Sequence, residues 1–218
     1  MKKTLVGLGA VLLTSVAWGP TAHAADGLVG AWAPSPHEYG TGSHPQMALG
    51  TGPNGGWSVE LHEVEGALAY SFDSGSPIPF ENGWGPAMAP ISAAGGTPRV
   101  LEVHQVNDGS VSPLMFSVGT FNGATGSWQL AHPYDRGLAP RVAAEGGLVV
   151  EVHQADVGTS ALWYHVGTIS PAGDIAWNPS PVEYDWGSHP AIALTTIDNP
   201  PQNGGTIVFA TTATSTRR

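Results

Sequence analysis

The chain has 218 residues, 41% of them hydrophobic, with 30 Gly, 19 Pro, no Cys and 17 acidic against 7 basic residues. Without cysteine there is no disulfide, no thiolate metal site and no cysteine nucleophile, so packing and strand pairing must hold the fold. A formal charge of −10 repels phosphate backbones and argues against nucleic acid as a partner.

Met1 to Ala24 reads as a secretory signal peptide. Lys2 and Lys3 precede an apolar run from Thr4 to Gly19, and Ala22-His23-Ala24 stands before an expected cut at Ala25. The run is too short for a membrane anchor, and no other stretch would span a bilayer. The expected product is an exported bacterial protein of about 194 residues, secreted or periplasmic. Losing both lysines leaves 5 Arg against 17 acids, a formal charge of −12.

The rest of the chain repeats itself, and Gly146 to Pro190 is the fullest copy. A Gly-Gly pair opens an apolar run with Glu-x-His (Glu151, His153). A second run, Leu162 to Val166, ends at Gly167. An Ile-x-Trp segment (Ile175, Trp177) and a Tyr-Asp-x-Gly corner (Tyr184, Asp185, Gly187) follow, then Pro190 and Ala191 to Leu194. Glu-x-His recurs at Glu60/His62 and Glu102/His104, and the second run recurs as Leu68 to Phe72 and Leu114 to Val118. Trp32, Phe80, Trp128 and Trp177 fill the aromatic slot at spacings of 48, 48 and 49 residues. Tyr39, Tyr134 and Tyr184 fill the corner, with a degenerate copy around Gly83. A period of this size marks propellers and solenoids.

Each copy reads as four short strands, in the best copy Ala191–Leu194, Leu148–Gln154, Leu162–Thr168 and Asp174–Trp177. Gly27 to His44 copies only the Trp and corner segment, and Gly204 to Thr212 only the Gly-Gly run, with Phe209 and Thr211 replacing Glu and His. Joined, these ends make most of a further copy, as ring closure would require; an open solenoid would instead need capping repeats. The expected fold is all-β: a small β-propeller-like ring of about four ~48-residue, four-stranded units, closed by pairing N- and C-terminal strands. The units would be 43–90, 91–137, 138–187, and 188–218 plus 25–42. The last lacks a clear second run, and a wider ring of several chains, a homo-oligomer, is the alternative.

The Glu-x-His pairs have two readings. In the first, Glu60, Glu102 and Glu151 with their histidines form a hydrogen-bond network repeated between units, since a catalytic site is normally single. In the second, His62, His104 and His153 converge near the axis and bind zinc, with an open fourth position suited to a metal-dependent hydrolase. His44 and His189, both in Ser-His-Pro, read as turn residues. Tyr-Asp-x-Gly suits a turn in which Asp caps the backbone and Gly takes positive φ. No acid breaks the repeat to nominate a glycosidase pair, and no Gly-x-Ser-x-Gly elbow marks a serine nucleophile. Trp84 and Trp186, each in a Trp-Gly step at a corner, are candidates for exposed rings on which a sugar face could stack; Trp57 and Trp163 are weaker ones.

The blade-sized period, one aromatic per blade, Gly-rich turns and an exported acidic chain resemble the small secreted β-propeller lectins of the tachylectin and fungal fucose-lectin types. The resemblance covers nearly all of the mature chain and is one of architecture; Glu-Val-His-Gln and Tyr-Asp-x-Gly are not those families' sugar-contact motifs. It implies non-catalytic carbohydrate binding through shallow sites repeated between units, with no cofactor. The expected contacts are Trp186, Tyr184, Asp185, Trp84, Tyr134, Asp135 and Tyr39, and the partner is a glycan or another surface ligand. A protein-interaction scaffold without a small ligand is the alternative.

Overall fold

A computed structural model describes residues 41–73, 75–91, 96–122, 125–158, 160–194, 196–197 and 206–207. All belong to one compact unit, Ala33–Arg218. They form antiparallel sheets with no helix, in keeping with short alternating runs bounded by Gly and Pro. No helix among them is long and apolar enough to cross a membrane.

The first sheet is a meander of β1 (Ser43–Gly52), β2 (Gly55–Val64), β3 (Ala67–Phe72) and β4 (Ile78–Asn82), in that order. The next strands are β5 (Trp84–Pro90), β6 (Arg99–Gln105), β7 (Ser112–Asn122) and β8 (Thr125–Trp128). They repeat the meander, with β8 and the start of β9 (His132–Glu145) sharing the outer edge of β7. The end of β9 then pairs with β10 (Leu148–Gln154), which pairs with β11 (Ser160–Ile169). The outer edge of β11 is shared by β12 (Ile175–Trp177) and β13 (Val182–Gly187). The chain thus leaves the last edge of one unit and becomes the first strand of the next. In β9 this happens without a break, which joins the second and third units into a nine-stranded sheet.

The pairing corrects three expectations. β5 pairs with β6 and not with the first sheet, so the first unit ends at Gly83 rather than Pro90. Of the expected strand Ala191–Leu194 only Ala193 forms a bridge; the next ladder is β14 (Thr196–Ile197) with β15 (Thr206–Ile207). The corner is not a free turn but a bulged outer strand. Ring closure by the N- and C-terminal strands, and the completeness of the fourth unit, rest on residues outside those described.

Two apolar layers lie between consecutive units. Trp57, Val59, Leu61, Leu68 and Tyr70 of the first unit pack with Met88, Val100 and Phe121 of the second. Leu101, Val103 and Val118 of the second pack with Val142 and Val149 of the third. Burial of this kind is worth about 25 cal/mol per Å² of apolar surface. Inter-unit aromatic stacking sets the register. Phe80 stacks on Trp128 with ring centroids 4.1 Å apart, as Tyr134 does on Trp177 at 5.1 Å. Phe80 therefore fills the corner tyrosine's place, three residues before Gly83, and not the tryptophan slot that its spacing suggested.

Candidate functional site

The bulges explain the corner. Leu114 pairs with Asp135 but Met115 with Pro133, which leaves Tyr134 unpaired. The same shift leaves Phe80 between Leu68–Glu81 and Ala69–Pro79, and Tyr184 between Leu162–Asp185 and Trp163–Glu183. A bulge re-aims side chains. Here it turns both the aromatic and the following acid toward the next unit.

There the acid meets the repeated histidine. Asp135 Oδ2 lies 2.6 Å from His165 Nε2 and 3.4 Å from His153 Nε2. His153 Nδ1 is 3.1 Å from Glu151 Oε2 on its own strand. His104 Nδ1 lies 3.0 Å from Glu102 Oε1, and His62 Nδ1 lies 2.9 Å from Glu60. All three pairs are buried. Burial pulls His104 and His153 toward the neutral form, but Glu102 with Glu81, and Glu151 with Asp135, outweigh it and hold both above the usual histidine value. Burial would raise Asp135, but bonds from His165 and the Arg136 backbone, with the charge of His153, bring it below the usual carboxylate value. Burial pushes Glu60 up.

Each imidazole also packs closely against a corner glycine. A Cβ on Gly42 would come within 2.7 Å of His62 Cδ2, and one on Gly137 within 2.5 Å of His153 Cδ2; Gly83 is tighter still against His104. These glycines have ordinary φ, so the repeat needs them for close approach and not for a left-handed turn. The left-handed residue comes two places later in all four copies: His44, Gly85, Ala139 and His189, each followed by proline. The residue after each repeated histidine secures it across the junction. Gly85 N donates to Glu63 (3.1 Å), Ala139 N to Gln105 (2.9 Å) and His189 N to Gln154 (3.3 Å). Glu-x-His and the Glu or Gln that follows it therefore act together as a fastener between units.

The structure does not gather His62, His104 and His153 into one site: among the described residues no group of three His, Cys, Asp or Glu side chains could hold a metal ion. The expected ligand contacts also separate. Tyr134 stacks on Trp177 at 5.1 Å with its hydroxyl buried, and burial and Glu151 raise its pKa far above the usual value. Tyr184 is half-buried, and burial with Asp185 pushes it up to about 12. Trp84 lies over Gly66 and is not equivalent to Trp186: it follows its repeat glycine, whereas Trp186 precedes Gly187. Trp57 is core. Tyr39 lies outside the described residues. Asp185 is exposed and accepts the Trp186 N–H at 2.8 Å.

Trp186 alone among these rings stands open, 61% exposed, with Nε1 donating to Glu183 Oε1 at 3.0 Å. Its register partner is Ala161, and that of Trp163 is Glu183. Trp186, Trp163, Glu183 and His165 thus share the face of the third unit that looks toward Asp135 of the second. His165 is the residue that residue-by-residue reading missed. It stands opposite Glu151, where the other copies have Ser71 opposite Glu60 and Ser117 opposite Glu102.

At the other end of the first strands a cavity of about 860 Å³ is lined by Leu49, Trp57, Ile91, Arg99, Glu145 and Ile169, among others.

No family model matches the chain, and no curated protein is similar to it. Among solved structures it is similar to a mutant of the Aleuria aurantia lectin AAL in complex with Fucalpha1-6GlcNAc, at 13% identity and a TM-score of 0.47. The match covers 76% of this chain and 54% of that one, so the chain spans about half the length of the lectin.

Proposed function

We propose that the protein is an exported, non-catalytic carbohydrate-binding protein, built as a small propeller-like ring, that holds sugars at the corner end of the grooves between its units. The observation that carries this reading is Trp186. A large indole stands in solvent, its orientation held by a hydrogen bond to Glu183 and its backbone tied to Asp185. An exposed ring rimmed by acceptors suits a sugar, whose apolar face stacks while its hydroxyls need polar partners. The groups that could have served catalysis, the Glu-x-His pairs, are already bonded to one another inside the fold.

The test is binding of the purified protein to a broad glycan array, with and without chelator. Chelator-insensitive binding to a related set of sugars supports the reading. Binding that chelator abolishes would move the function to a metal site, and silence across the array would leave a protein-interaction scaffold as the better account.

A further inference from the structure

We infer that the carbohydrate site is single and lies at the junction of the second and third units, formed by Trp163, Trp186 and Glu183 with Asp135, and that it takes a neutral sugar. This rests on the carbohydrate reading above and replaces the idea of equal sites at every junction.

The argument is a coincidence of departures. The repeat fixes equivalent positions by register, so each copy controls for the others. The position of Trp163 is Ala69 in the first unit and Met115 in the second, each paired opposite the repeated histidine of its sheet. The position of Trp186, one before the corner glycine, is Asn82 and Arg136. The position of His165 is Ser71 and Ser117. The third unit differs from both at all three places, and all three lie on one face at one end of one junction. Packing does not demand the new rings, since Trp186 is largely exposed and the other copies close with small, flexible or polar residues. Trp163 and Trp186 are diagonal neighbours across β11 and β13, a separation of roughly 7–8 Å that large side chains bridge. Both indoles stand on the same face, two register positions apart.

The polar side of the site is acidic. Glu183 is the register partner of Trp163 and accepts the Trp186 indole N–H. Asp135 closes the groove from the second unit, its side chain still 23% exposed and fixed by His165 and His153. Carboxylates accept hydrogen bonds from hydroxyls and repel carboxylated or sulfated sugars. Neutral pyranoses fit this site, and sialylated or uronic ones do not.

Isothermal titration of the full chain with methyl fucoside, methyl galactoside, methyl mannoside, N-acetylglucosamine, lactose and sialyllactose tests this. The inference predicts one site per chain for the sugar that binds, and weaker binding of sialyllactose than of lactose. Trp186→Ala and Trp163→Phe should each weaken binding, the first by about tenfold or more. Asn82→Ala and Arg136→Ala, at the equivalent corners, should change it less than about twofold, which is within the scatter of neutral surface changes. Trp186→Ala should melt with the wild type, so that lost binding is not lost folding. Several sites per chain, or binding lost with Arg136→Ala and kept with Trp186→Ala, would overturn the single-junction inference alone. Silence for every sugar would defeat the carbohydrate reading and this inference with it.

Discussion

Gly83 packs so close to the imidazole of His104 that a Cβ on it would clash with the ring at Cδ2. Gly83 ends one unit and His104 lies in the next, so the contact is a measure of how tightly the two are joined. A methyl group there must push the ring off Glu102. Gly83→Ala should destabilise by about 1–3 kcal/mol, the cost of overpacking a close contact. His104→Ala removes the obstacle, so the double variant should be less destabilised than the sum of the singles. Denaturant unfolding of the four proteins reads the coupling.

Gln105 should matter through two backbone bonds, one of which crosses to the next unit. Its Nε2 donates to Asn107 O at 2.6 Å. Its side-chain oxygen accepts the Ala139 N–H at 2.9 Å, at a left-handed residue that no strand partner satisfies. Gln105→Leu leaves that N–H unpaired at a cost of about 1–3 kcal/mol. Amide exchange at Ala139 should accelerate in Gln105→Leu; Gln105→Glu keeps the acceptor and should restore protection at Ala139, although it loses the donor to Asn107 O.

Stability should peak in mild acid. His104 and His153 are held above 6.5, so their contribution is complete below 6.5 and is lost as pH rises through their folded values. Glu60, raised above 4.5, has the same sign: folding favours its neutral form, and that contribution fades as pH rises. Asp135 is lowered below 3.8, so its contribution is present above 3.8 and is lost as pH falls through the folded value. His153 is faced by Glu151 from its own strand, by Asp135 from β9 and by His165 from β11; His104 is faced by Glu102 and Glu81. Melting temperature against pH should therefore be highest between about pH 4 and 6.5 and fall on both sides. Asp135→Asn should move the alkaline fall to lower pH, because His153 loses a charge that holds its proton.

The inter-unit aromatic stack should be the costliest single loss. Trp128 meets Phe80 at 4.1 Å and Tyr70 and Phe121 edge-on. Trp128→Ala should cost about 3–5 kcal/mol, the range for emptying a large aromatic site, without altering sugar affinity of the folded protein at the third unit.

The repeat made much of this legible before any coordinates. The strands Leu148–Gln154 and Leu162–Thr168 follow from alternation, and β10 and β11 contain them. The fastening role of Glu-x-His follows from its recurrence. The corner was harder, because a bulge depends on pairing with a distant strand and leaves no local signature: Tyr-Asp-x-Gly looks like a turn. Phe80 was misplaced because spacing alone cannot tell a tryptophan slot from a tyrosine slot six or seven residues away. The exceptional junction was legible but needed the right comparison. Aligned, Leu68-Ala-Tyr-Ser-Phe, Leu114-Met-Phe-Ser-Val and Leu162-Trp-Tyr-His-Val show Trp163 and His165 as departures. A search for an unusual acid passes over them.

The central claim is a division of labour: buried Glu-x-His, with the Glu or Gln that follows it, fastens the units, and the exposed corner meets the ligand. The most direct measurement compares Trp186→Ala and His104→Ala for melting temperature and glycan binding in the same buffer with chelator. The account predicts that Trp186→Ala loses binding at unchanged melting temperature, while His104→Ala melts lower but binds normally when folded. Loss of binding by folded His104→Ala, with Trp186→Ala unaffected, would contradict it.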